Sequence, residues 1–94
     1  MNFNVIKANY IKEYQLELTF KDGSIGIADL SEYVGKGEVF NNFQDKEYFK
    51  NFRVEFGTVT WGNGETDIAP ETLYTKATGK SIEFVEEKLE FHGA

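Results

Sequence analysis

The sequence predicts an α+β domain, a small antiparallel β-meander with helices packed on one face, in the order β-β-β-α-β-β-α. Three observations predict it. Residues 14–20 alternate strictly, with Tyr14, Leu16, Leu18 and Phe20 on one side and Gln15, Glu17 and Thr19 on the other, which is the period of a half-buried strand. Lys21-Asp22-Gly23 follows at once, and Asp-Gly readily takes the positive φ angles of a tight hairpin turn. Further on, Pro70 and Gly79 bracket a stretch without other breakers, Pro at the first helical position and Gly just past the last.

The elements follow in order. Phe3 to Ala8 reads as a first strand, Tyr14 to Phe20 as a second and Ser24 to Leu30 as a third, and an antiparallel meander is the economical way to connect them. Ser31-Glu32-Tyr33-Val34 suits a short helical turn capped by Ser31, broken by Gly35-Lys36-Gly37. Val39 to Phe43 resumes the apolar pattern, and Asp45 caps a helix over residues 46–52. Tyr48, Phe49 and Phe52 share a face of it. Arg53 to Phe56 reads as a fourth strand and Val59 to Trp61 as a fifth, with a turn at Gly57-Thr58 and a loop or second tight turn at residues 62–65. Pro70 to Thr78 is a helix, with Glu71 at the positive end of its dipole. The stretch from Ser81 to Ala94 fits either a helix or a short strand. As a helix it gathers Ile82, Val85 and Leu89 on one face, while Phe84 and Phe91 project from the opposite one.

Composition bounds the function. The 94 residues suffice for one domain, expected as a core over 1–79 and an acidic segment over 80–94. Nine Phe, five Tyr and one Trp supply a core. The net charge is −6, and the basic residues from Lys7 to Lys88 form no stripe, which argues against a polyanionic nucleic-acid partner. A basic or neutral protein partner is favoured instead. The absence of cysteine removes disulfides and thiol chemistry and fits a reducing compartment. Residues 1–10 have no signal-peptide pattern, and no apolar run approaches the ~20 residues of a membrane span. The expected setting is the cytoplasm, with no membrane contact.

The catalytic and ligand motifs are weak. With no Cys and His92 as the sole histidine, neither a metal site nor a histidine triad is expected, and a solvated histidine near a chain end explains His92. Gly35-Lys36-Gly37 and Gly62-Asn63-Gly64 lack the spacing of a phosphate loop and read as turns. Asp29, Glu55 and Asp67 neighbour apolar residues, the setting in which a carboxylate becomes an acid or base. Alternation instead puts Glu55 on an exposed face opposite Val54 and Phe56, and Asp67 can accept N–H bonds at the helix entry. Phe49-Lys50 and Phe52-Arg53 interleave aromatic and basic groups, but helical packing accounts for both rings. No cofactor is expected and the chain does not read as an enzyme.

The ordered set Leu18-Thr19-Phe20-Lys21-Asp22-Gly23, Asp29-Leu30, Val39-Phe40, Asp45 with Tyr48-Phe49, then Val54-Glu55-Phe56-Gly57-Thr58-Val59-Thr60-Trp61, Asn63-Gly64 and Asp67 to Tyr74 resembles the bacterial domain-of-unknown-function family 2442. The likeness runs from Val5 to Tyr74. The family pattern has Pro between the Trp and the Asn, where this chain has Gly62. The resemblance implies a compact α+β fold and no assigned catalytic residue. Some relatives carry an appended helix-turn-helix, and some are encoded beside another small protein in an arrangement like a toxin–antitoxin pair.

Two functions of different class are therefore expected. The first is an accessory or regulatory domain binding another protein, such as the product of a neighbouring gene, or a second copy of itself. Phe84 and Phe91 would anchor it, with Trp61 and Tyr33 as further contacts. The alternative is a small-molecule binding or sensing domain, with a pocket at Trp61, Asn63 and Asp67. A meander also leaves two sheet edges, and Lys7, Lys12 and Lys21 are placed to guard one of them.

Overall fold

The computed structural model describes residues 3–80. The α+β architecture is as the sequence predicts, built as two small antiparallel three-stranded sheets and two helices. The first sheet comprises β1 (Val5–Lys12), β2 (Gln15–Phe20) and β3 (Ile25–Asp29) in that spatial order. A 3-10 turn (Ser31–Tyr33), a 3-10 segment (Glu38–Gln44) and α1 (Lys46–Lys50) lead to the second sheet of β4 (Arg53–Glu55), β5 (Thr58–Trp61) and β6 (Thr66–Ile68), and α2 (Pro70–Thr78) follows.

The alternation of β2 sets the inside of the first sheet. Leu16, Leu18 and Phe20 are fully buried, and Leu16 faces Ala28 across the β2–β3 ladder while Leu18 faces Gly26. Gly26 is where α2 docks, since a Cβ there would collide with the backbone carbonyl of Ala77. Leu73 and Tyr74 of α2 are buried, and the Tyr74 hydroxyl donates to Asp22 at the β2–β3 turn at 3.0 Å. Asp22 also accepts from the Ser24 N–H at 2.8 Å, closing the turn that Asp22-Gly23 predicts. Both sheets feed one core, in which Phe43, Phe49, Val59, Trp61 and Ile68 join the β2 residues.

Several local expectations are corrected. β1 extends to Lys12 rather than ending at Ala8, and it joins β2 through the two residues Glu13 and Tyr14. α1 ends at Lys50, two residues early, with Asn51 as its C-cap. Asp45 does cap it, accepting from the Glu47 N–H at 3.0 Å. Ser31 does not cap its own turn; the N-cap is Leu30, without a side-chain cap, and Asp29 before it accepts the Ser31 N–H at 2.9 Å. α2 begins at Pro70 with Ala69 as its N-cap and no side-chain cap, so Asp67 has no part in the helix entry. Gly79 ends α2 at φ 76°. Thr66–Ile68, for which no strand is expected above, pairs with β5 as β6.

The β4–β5 turn lies one residue earlier than the sequence suggests. Glu55 pairs with Thr58, so the turn residues are Phe56 and Gly57, at φ 54° and 75°. Both signs match the two-residue type I′ hairpin. The shift reverses the faces of β4. Val54 and Phe56 are exposed, Phe56 to 90%, whereas Glu55 is half-buried and accepts the Thr60 hydroxyl at 3.0 Å.

Candidate functional site

Of the residues that the sequence offers for contact or a pocket, Trp61 lies in the core, Tyr33 is half-buried and Asn63 and Asp67 are exposed. The Trp61 indole is buried between Phe43, at 4.7 Å between centroids, and Phe49, at 5.7 Å. Its N–H donates to the Phe49 carbonyl at 2.8 Å. A ring so enclosed offers a partner no surface and a ligand no wall. Tyr33 is half-buried against Phe40, with the Lys76 ammonium 5.4 Å above its ring. Burial pushes its phenol pKa up. Asn63 is exposed in the β5–β6 loop at φ 57°, and Asp67 is exposed on β6. None of Trp61, Asn63 and Asp67 lines the cleft described below. Phe84, Phe91 and His92 lie outside the described residues.

Of the three carboxylates with catalytic potential, Asp29 accepts the Ser31 N–H, and that bond holds its pKa below the ordinary value. Glu55 is engaged by Thr60. Asp67 stands on a different sheet from Asp29. Among the described residues, no group of three or more His, Asp or Glu side chains is arranged to hold a metal ion.

Two surface features stand out. The first is a cleft of about 280 Å³ lined by Glu38, Asn42, Tyr48, Glu65 and Thr66. The 3-10 segment, α1 and the β5–β6 loop build it. Gly62 sits on its border at φ 59°, with the Tyr48 hydroxyl and the Glu65 carboxylate crowding the place a Cβ would occupy. The lining has two carboxylates and no basic group. Sequence spacing could not find this cleft, because Glu38 and Glu65 come from segments 27 positions apart that carry no motif.

The second is the outer face of the first sheet. With Leu16 and Leu18 pointing inward, the residues that alternate with them and with their ladder partners point out. Ile25 and Ile27 of β3 stand beside Thr19 and Glu17 of β2, which stand beside Lys7 and Asn9 of β1. Ile25 is 62% exposed and Ile27 48%. Ile11, next to the inward Tyr10, is exposed as well, and so is Ile6 in the bulge between Val5 and Lys7. These four account for most of the large hydrophobic side chains left exposed in the described chain, the others being Val54 and Phe56. β-Branched residues favour strands, but strand formation alone does not require isoleucine on a solvated face.

The fold and surface together define a small α+β domain of two linked meanders around one core. A family model described as "Protein of unknown function (DUF2442)" matches residues 5–79, and the chain belongs to that family. Neither a curated protein nor a solved structure matches the chain. Among the described residues no helix is long and apolar enough to cross a membrane.

Proposed function

We propose that the chain is an accessory interaction domain that binds another protein through the outer face of its first sheet. The observation that carries this reading is the set of exposed isoleucines, Ile6, Ile11, Ile25 and Ile27, on one sheet whose opposite face is packed. Exposed apolar clusters mark contact surfaces. The net charge of −6 favours a basic partner, which electrostatic steering would bring in faster at low salt. The product of a neighbouring gene, in the paired arrangement that the family resemblance implies, is the first partner to try. A cysteine-free chain suits a reducing setting such as the cytoplasm.

The test is quantitative capture by the tagged chain from its native cells, compared with two double variants. Ile6→Glu/Ile11→Glu is expected to lose a stoichiometric partner that Glu38→Gln/Glu65→Gln keeps. Equal capture by all three chains would refute the outer face as the contact.

The cleft supports a second reading, a small-molecule site. Its carboxylates, with the Tyr48 hydroxyl and the Asn42 amide beside them, suit a small cationic ligand such as an amine. Thermal-shift screening with amines tests it: a stabilisation that Glu38→Gln/Glu65→Gln abolishes favours the reading, and no shift removes it.

A further inference from the structure

The chain leaves α2 beside the exposed isoleucines of β3. Gly26 lies between Ile25 and Ile27, and the Ala77 carbonyl of α2 presses on it so closely that a Cβ would not fit. Side chains alternate along a strand, so Ile25 and Ile27 stand on the outer face while α2 stands on the inner one. Only the edge of β3 separates them. α2 ends at Thr78, the residue after Ala77, and Gly79 turns the chain at φ 76°. The Lys80 N–H then donates to the Thr78 hydroxyl at 3.2 Å.

Residues 81–94 therefore start from this edge. A chain spans about 3.3 Å per residue when extended and about 1.5 Å when helical. Strands in a sheet lie about 4.8 Å apart, which makes the three-stranded face roughly 10 Å wide. Extended or helical, the segment is long enough to cross it.

The composition of the segment complements the face. The face offers Ile6, Ile11, Ile25 and Ile27, and the segment offers Ile82, Phe84, Val85, Leu89 and Phe91. Four Glu against one Lys give the segment a charge of −3. The Ile25 end of the face is basic. Lys7 stands beside Thr19, which stands beside Ile25, and the Lys21 N–H bonds the Asn4 carbonyl just before β1. Among the described residues neither lysine enters an ion pair. Asp22 at this end is engaged by Ser24 and Tyr74. Glu17, beside Ile27, repels carboxylates and directs them to the lysine side.

We propose that residues 81–94 of this same chain cover the outer face of the first sheet, with Phe84 and Phe91 against Ile25 and Ile27 and the glutamates toward Lys7 and Lys21. The inference rests on the reading of that face as a contact surface and adds its regulation, because a partner has to displace the segment. A short tether gives a segment an effective concentration of order mM. A second copy or another protein at micromolar concentration does not match that, so the tether selects the resting occupant. The partner's affinity is then reduced by the fraction of chains left uncovered.

The test is NMR on the full chain with labelled isoleucine methyl groups and labelled phenylalanine rings. Nuclear Overhauser contacts are expected from the Ile25 and Ile27 methyls to the ring of Phe84 or Phe91, independent of protein concentration. Phe84→Asp/Phe91→Asp should remove them and move the Ile25 and Ile27 signals. The buried Ile68 should stay in place, which checks the fold. The same variant should capture at least about twofold more partner than the parent. Absent contacts overturn the inference. So do contacts between separately labelled chains in a mixture, which would make a second copy the occupant. Equal capture by variant and parent overturns the displacement. Absent contacts together with capture lost in Ile6→Glu/Ile11→Glu remove this inference and keep the partner reading. Contacts present with capture unchanged in that variant support this inference and remove the partner reading.

Discussion

Gly26 and Ala77 meet where β3 passes under α2, so closely that a Cβ on Gly26 would run into the Ala77 carbonyl. Backbone, not a flexible side-chain end, is what the added carbon would strike. Gly26→Ala should therefore push α2 off the sheet. Overpacking of this kind costs about 1–3 kcal/mol, and in a domain of this size each kcal/mol lowers Tm by roughly 4–8 °C. Calorimetry on the variant checks it, and an unchanged Tm would mean that α2 sits further from β3 than described.

Phe56 predicts the opposite sign. A phenylalanine at φ 54° with its ring in water is strained, because the left-handed region costs an ordinary residue about 1–2 kcal/mol. Asn is a preferred residue at this position of a type I′ turn. Phe56→Asn should raise stability by about 0.5–1 kcal/mol, measured by urea unfolding. Destabilisation would indicate that the ring packs against something.

Trp61 is the sole tryptophan and lies in the core. Trp61→Phe leaves the Phe49 carbonyl without its indole donor, and a buried group left unsatisfied costs about 1–3 kcal/mol. The loss should appear as a lower urea midpoint. In the parent chain, tryptophan emission should shift to longer wavelength in the same transition that removes the circular-dichroism signal.

Acid should weaken the β2–β3 turn. The Ser24 backbone N–H, with the Ser24 and Tyr74 hydroxyls behind it, holds the Asp22 carboxyl below its ordinary value. A group depressed by folding contributes stability above its unfolded pKa of about 3.9, and that contribution is lost as pH falls through the folded value. Asp22→Asn should thus be less stable than the parent at pH 7, with the difference shrinking below about pH 4. Tm measured against pH for both chains decides it, and a constant difference would contradict the assignment.

Much of this fold was legible in the residues, and the losses have physical causes. Strict alternation marked β2, Asp22-Gly23 its turn, Asp45 the start of α1, and Pro70 with Gly79 the limits of α2. Each is a local rule with a local cause. β1 past Ala8 was not legible, because Asn9 to Lys12 is held in the sheet by pairing with β2 rather than by its own pattern. β6 is three residues long, too short for a period to register. The Phe56-Gly57 turn was misplaced because the chain sets a bulky aromatic where turn chemistry expects Asn or Gly. The site was less legible still. Trp61 drew attention as a large aromatic and proved to be core, while the isoleucine face depends on strand order and on which side is packed, and neither is written in a single strand.

Whether the outer isoleucines serve a partner or the fold itself is decided by the thermal unfolding of a chain carrying Ile6→Thr, Ile11→Thr, Ile25→Thr and Ile27→Thr, at low micromolar concentration. Threonine keeps the strand preference and removes the apolar surface. Exposed side chains contribute little to folding, so the expected Tm lies within about 5 °C of the parent, with partner capture lost. A chain that no longer unfolds cooperatively would contradict this account and make the face part of the protein's own core.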